Sequence, residues 1–229
     1  HRGFETVTLA FEGSVAHHDS TGSGGVIGPG DAQWMTAGAG ILHREYHEEK
    51  FARSGGTMHM AQIWVNLPSK DKMTTPRYQA LTAQQMGRVV LPESAGLVRV
   101  IAGEHAGVKG PASTFTPITM LDVQLDRAAR VELDVPATQN AALLVMSGSV
   151  TVNGKSRATT DDLVLLDSGE HVGEHIAIAS DDAARVLVLA GEPIREPIVQ
   201  YGPFVMNTRQ EIEQAIIDFN AGKFGHLDD

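Results

Sequence analysis

The chain has 229 residues, 42% of them hydrophobic and 20% charged, the balance of a folded globular protein with room for one or two domains. Its formal charge is −10, spread along the chain with no Lys/Arg-rich stripe, so direct binding to nucleic-acid phosphates is not expected. With no cysteine, disulfides, thiolate nucleophiles and cysteine-ligated metals are excluded, and any metal must sit on imidazole and carboxylate.

No run of about 18 apolar residues exists to span a bilayer, and no basic-then-apolar leader is visible, so a cytoplasmic location is the expectation. The sequence opens at His1, not Met, and reads as strand at once, which suggests that an N-terminal segment precedes it.

In chain order, residues 6–11 alternate as a strand and end at Glu12-Gly13. Gly28-Pro29-Gly30-Asp31 is a turn, because Gly supplies positive φ and Pro presets its own. Residues 60–67 form another strand, closed by Pro68. Polar sequence over 69–76 and a short helical patch over 82–86 follow, and a domain boundary is expected here, between 1–80 and 88–229. A second strand series then runs through 98–101, 131–135, 142–146, 150–152, 163–166, 176–178 and 186–189. Asn153-Gly154 inside it is a two-residue hairpin signal. Short strands with Gly-rich turns argue for an all-β fold of sandwiches or barrels, and two halves of similar plan argue for two related barrels. The tail differs. Thr208 and Glu211 make a capping box, while Ile212, Ala215, Ile216 and Phe219 form one apolar stripe up to Gly222, predicting a helix over about 208–221. That stripe is expected to dock on a barrel; a partner-binding helix is the other use of such a pattern.

His43 and Glu45 are two apart in strand-like sequence, so they share one face. With a histidine from a neighbouring strand they would make a nitrogen/oxygen site suited to Fe(II), and also to Mn, Ni, Cu or Zn. Equally, His-x-Glu can be a surface strand with a salt bridge. Gly38 and Gly40 allow a tight turn into this strand.

Beyond these residues, the chain resembles the pirins, a cupin family. The resemblance rests on residues 1–7 (HRGFETV), 29–31 (PGD), 33–38 (QWMTAG), Gly40 to His43 with Glu45, and 64–67 (WVNL). Residues 191–197 (GEPIREP) and 202–208 (GPFVMNT) extend it through the second half, to about Gly225. It implies an all-β bicupin, two cupin-type barrels with a C-terminal helix. It also implies a metal, usually iron as Fe(II), held in the N-terminal barrel by three histidines and one glutamate. By motif, His1 is the second of those histidines, His43 the third and Glu45 the carboxylate; the first would lie two positions before His1. Without it, two histidines and one carboxylate would resemble a facial triad.

Glu5 stands where many cupins place their glutamate ligand; it is read as hydrogen-bonding a ligand histidine, or else as an exposed strand carboxylate. The second barrel lacks His-x-His followed by Glu and is expected to hold no metal. His17 and His18 are read as solvated, His47 as a loop residue near the site mouth, and His59 as packed or half-exposed. His171 and His175 are four apart, yet their surroundings read as strand, and Trp34 and Met35 as core. The implied function is a quercetin 2,3-dioxygenase opening a flavonol with O₂, in which Glu45 takes the substrate hydroxyl proton. The alternative is a non-enzymatic, iron-dependent redox-sensing regulator that binds a transcription factor or metabolic enzyme. A flavonol and a protein are thus both possible partners, and a monomer is expected.

Overall fold

In the computed structural model, which describes residues 1–167 and 175–227, the chain divides into two units. One comprises His1–Gln84 with Ile194–Asp229, the other Gln85–Pro193.

The first unit has strands β1 (Phe4–Glu12), β2 (Val15–Asp19), β3 (Gly24–Ile27), β4 (Ala32–Thr36), β5 (His43–His47), β6 (His59–Asn66) and β7 (Arg77–Leu81). A short helix α1 (Glu49–Ser54) intervenes, its start capped by the Glu48 carboxylate, which accepts from Phe51 N. The strands form two antiparallel sheets, β6-β1-β4-β7 and β3-β2-β5. Alternation along β1 puts Thr6 and Thr8 on one face and Glu5, Val7 and Leu9 on the other. Cross-strand register adds Met35 and Gln33 of β4, and Trp64 and Gln62 of β6, to the Thr6/Thr8 face. That face meets the smaller sheet, since Thr8 and Gln62 both bond Glu45 of β5. The expected helical patch over 82–86 is a turn, with Ala83 N donating to Asp31 Oδ1 at 2.8 Å.

The second unit contains β8 (Gly87–Val90), β9 (Gly96–Ala102), β10 (Glu104–His105), β11 (Val108–Lys109), β12 (Ile118–Leu125) and β13 (Arg130–Asp134). It continues with β14 (Asn140–Ser147), β15 (Ser149–Val152), β16 (Ser156–Thr159), β17 (Leu163–Leu166), β18 (His175–Ala179) and β19 (Ala184–Gly191). Sheets β17-β14-β19-β12-β9-β8 and β13-β18-β15-β16 enclose an apolar core of Val, Leu, Ile and Ala side chains. The Asn153-Gly154 signal does make a hairpin, but with a three-residue loop, because Val152 pairs with Ser156. Asn153 and Gly154 both take positive φ there.

The tail adds β20 (Val199–Tyr201), β21 (Phe204–Met206) and helix α2 (Arg209–Asn220). The capping box is present, with Thr208 Oγ1 accepting from Glu211 N at 3.2 Å and Glu211 Oε2 accepting from Thr208 N at 2.8 Å. Chain order assigned residues 194–229 to the second barrel, whereas they group with the first unit. The reason lies in the bonds they make. Val205 N donates to Arg2 O and Arg2 N to Pro203 O. The Arg2 guanidinium bonds Asp218 at 2.9 Å and Ala39 O at 2.7 Å, and lies over the Phe224 ring. Lys72 Nζ, buried, donates to Gly3 O, Asn66 Oδ1 and Val205 O at 2.8–2.9 Å. On α2, Ile212 and Ala215 are buried as the stripe requires, but Asp218 replaces Phe219, which is 49% exposed. The ion pairs from Asp218 to Arg2 and Lys223 account for that shift.

Candidate metal centre in the first barrel

Strands β2 and β5 pair with Val15 opposite His47, His17 opposite Glu45 and Asp19 opposite His43. All six therefore lie on the sheet face that carries Glu45. His1 is fixed beside the start of β5 by a two-way backbone link, His1 N to Ile41 O at 2.8 Å and Ile41 N to His1 O at 3.1 Å. The structure thus brings His1 and His43 together, their ring centroids 4.8 Å apart. Both Nδ1 atoms are buried without a hydrogen-bond partner. Burial pushes the His43 imidazole below its ordinary value, against the opposing pull of Glu45. A neutral ring is the form that binds metals.

Glu45 is engaged by other side chains. Its Oε1 accepts from Thr8 Oγ1 at 3.1 Å and its Oε2 from Gln62 Nε2 at 2.7 Å. Among the described residues, no three His, Asp or Glu side chains converge as a ready-made metal cage. Even so, the donors have the right chemistry. Two adjacent imidazoles with idle nitrogens, and a carboxylate on the next inward position of β5, suit a divalent first-row ion once Glu45 exchanges a hydrogen bond.

The surrounding interior is unusually polar. Thr6 Oγ1, Gln33 Oε1 and Nε2, His17 Nε2 and Asp19 Oδ2 are likewise buried and unpartnered. Buried polar groups are normally paired, so such a concentration points to an ion or ordered water among them. A cavity of about 390 Å³ lined by Val15, Glu45, Tyr46, His47, Met58 and Met60 opens beside Glu45. Trp64, 41% exposed, lies edge-on to His1 with centroids 5.6 Å apart.

Several expectations change here. His17 is not solvated: it is 2% exposed, its ring lies 4.5 Å from that of Tyr78, and burial lowers its pKa. The Val15/His17/Asp19 alternation was the available signal. His18, on the other face, is half-buried. Glu5 is neither an exposed carboxylate nor a partner of a ligand histidine. It sits fully buried on the opposite face of β1, bonded by Thr36 Oγ1 at 2.6 Å, and burial raises its pKa. His47 ends β5 and is exposed, edge-on to Phe51. His59 is half-buried against Phe11, while Trp34 and Met35 are fully buried. His175 is an exposed residue of β18 paired with Asp134; His171 lies outside the described residues.

Comparison with known proteins agrees over both halves. Residues 1–65 match the family model described as pirin, and residues 120–225 the pirin C-terminal cupin domain. A Pseudomonas aeruginosa protein named as a candidate quercetin 2,3-dioxygenase is 50% identical over 224 residues, covering 98% of this chain and 77% of the relative. Human pirin is 40% identical over 230 residues, covering 98% and 76%. The crystal structure of a quercetin 2,3-dioxygenase from Acinetobacter baumannii superposes with a TM-score of 0.94 at 46% identity, covering all of this chain and 78% of that one. A nickel(II) complex of the bacterial pirin YhhW from Escherichia coli gives 0.62 at 26% identity, covering 84% and 74%. With both cupin domains matched and relatives aligned along nearly its whole length, the chain belongs to the pirin family.

Proposed function

We propose that the first barrel holds a divalent metal, Fe(II) by family, on His1, His43 and Glu45, and that the protein is a dioxygenase acting on a flavonol such as quercetin. The observation that carries this reading is the pair of unpartnered Nδ1 atoms on adjacent rings, within an interior of unpaired polar groups. The names of the Pseudomonas and Acinetobacter relatives supply the substrate class. A bound divalent ion would supply Lewis acidity toward a phenolic oxygen and bring O₂ within reach of the substrate.

The chain's own residues do the rest. Trp64, exposed beside His1, offers an aromatic face to a planar substrate. The cavity beside Glu45, with Met58 and Met60 on its wall, receives an apolar ring and sheds its water. Glu45 would give up the Thr8 bond on Oε1 to hold the ion, and takes the substrate hydroxyl proton on Oε2, the oxygen now bonded by Gln62.

The test is to purify the full-length protein anaerobically, measure its metal content, and follow O₂ uptake with quercetin in excess, with His43→Ala as control. Near-stoichiometric metal with many turnovers, both lost in the variant, supports the enzyme. Bound metal without turnover transfers the site to a redox-sensing regulator, and absence of metal removes the premise of both.

A further inference from the structure

The second unit contains a cavity that the first-barrel chemistry does not use. It measures about 340 Å³, within the range of small-molecule sites, and opens between the β13–β14 turn, the β15–β16 hairpin and the ends of β17 and β18. Val135, Ala141, Val152, Val164, Leu166 and Ile176 supply an apolar wall, and polar side chains line the rest. Val164 and Leu166 are only half-buried although they pack on the core, so their free sides belong to this space.

Two polar features separate it from a packing gap. Gln139 lines the cavity, is 7% exposed, and its Oε1 has no hydrogen-bond partner. Buried acceptors are normally paired, so this oxygen calls for a donor. At the rim, the Lys155 side chain and Ser156 are exposed on the hairpin, with Asp167 and the Asp134-paired His175 also lining the opening. One cation can receive one carboxylate, and the nearby carboxylate disfavours a second negative charge on the ligand.

We propose that the second barrel binds a hydroxylated aromatic monocarboxylate. Its ring lies against the Val, Leu and Ile walls, its hydroxyl donates to Gln139 Oε1, and its carboxylate meets Lys155. A rigid ring keeps the two polar ends apart at little entropic cost.

The experiment titrates metal-free full-length protein with 4-hydroxybenzoate by calorimetry, beside benzoate and 4-hydroxybenzyl alcohol, each short of one polar group. One site per chain is expected, with a dissociation constant on the order of 0.1 mM for a ligand of this size. Both analogues bind about tenfold more weakly. Gln139→Leu brings 4-hydroxybenzoate down to the level of benzoate, Lys155→Ala brings it to that of the alcohol, and Val164→Trp, which fills the cavity, abolishes binding. If Val164→Trp does not fold, the near-isosteric Gln139→Leu decides alone. Absence of saturable binding overturns the proposal. So does binding that ignores the Gln139 change, or that disappears only with His43→Ala, which would place it in the first barrel.

Discussion

Replacing Lys72 by Met removes a buried ammonium that joins the start of β1 to the tail. Its buried Nζ donates to Gly3 O, Asn66 Oδ1 and Val205 O at 2.8–2.9 Å. Met keeps the volume but leaves three oxygens facing an apolar chain end. At roughly 1–2 kcal/mol for each unsatisfied acceptor the gross cost is about 3–6 kcal/mol, and the ammonium's own burial cost, now removed, returns part of it. A net loss of about 3 kcal/mol is expected, read as a lower urea midpoint for the first unit at unchanged slope. The pH dependence gives a second, independent sign. Burial holds the Lys72 ammonium at about 8, below its ordinary 10.5. Between these values the unfolded chain binds the extra proton, so this group's contribution to stability rises with pH across the window. Below about 8 its penalty is fully present. Subtracting the Lys72→Met curve from that of the parent should isolate the rise. A variant within 0.5 kcal/mol of the parent at pH 7, or a difference curve flat from pH 8 to 10.5, would refute the reasoning.

Three further outcomes follow from the same contacts. Gln62→Leu deprives Glu45 Oε2 of its 2.7 Å donor and should change metal affinity by about 10–100-fold, measured by competition with a chromogenic chelator; unchanged affinity would mean that Gln62 does not position this carboxylate. In the second unit, burial pushes Asp122 up, but hydrogen bonds and charge from Arg185 and Arg99 outweigh it and hold the carboxyl below its usual range. Its stabilising share is therefore present above the ordinary carboxylate pKa and lost as pH falls below it; Asp122→Asn should cost about 3–5 kcal/mol at pH 7, and much less in acid, by thermal melts. Gly3→Ala puts a Cβ 2.1 Å from Val205 O at a residue with φ +86°, so it must displace β21 from Arg2. Destabilisation above about 2 kcal/mol with faster amide exchange at Phe204 and Val205 is expected, and unchanged exchange there would contradict it.

How much of this was legible beforehand depends on what a single strand can reveal. Alternation or short apolar runs disclosed strands such as β1, β6, β13 and β19, though not β2, β4, β7 or β12, and Thr208 with Glu211 disclosed the helix start, because these are local patterns. The His43/Glu45 pair on one face was local too, whereas His1 entered only through family resemblance. His17 was missed although its alternation with Val15 and Asp19 was legible; its place opposite Glu45 was not, because cross-strand register is not written in either strand alone. Glu5 failed by parity: β1 is buried on both faces, so its sequence does not tell which face meets the ligands, and the Thr8–Glu45 bond assigns that face to the even-numbered residues. Asp218 displaced Phe219 from the buried stripe because its ion partner, Arg2, lies 216 residues away.

That same long-range lock has a consequence for biosynthesis. Arg2 follows directly on His1, and its guanidinium waits for Asp218, while its backbone waits for Pro203 and Val205. At about 5–20 residues per second, the ribosome exposes the first barrel's strands many seconds before these partners emerge. During that interval the end of the chain bearing His1 has no anchor on the tail. If this barrel holds the proposed ion, loading would then follow translation, and a chain terminated before α2 would be the poorer acceptor.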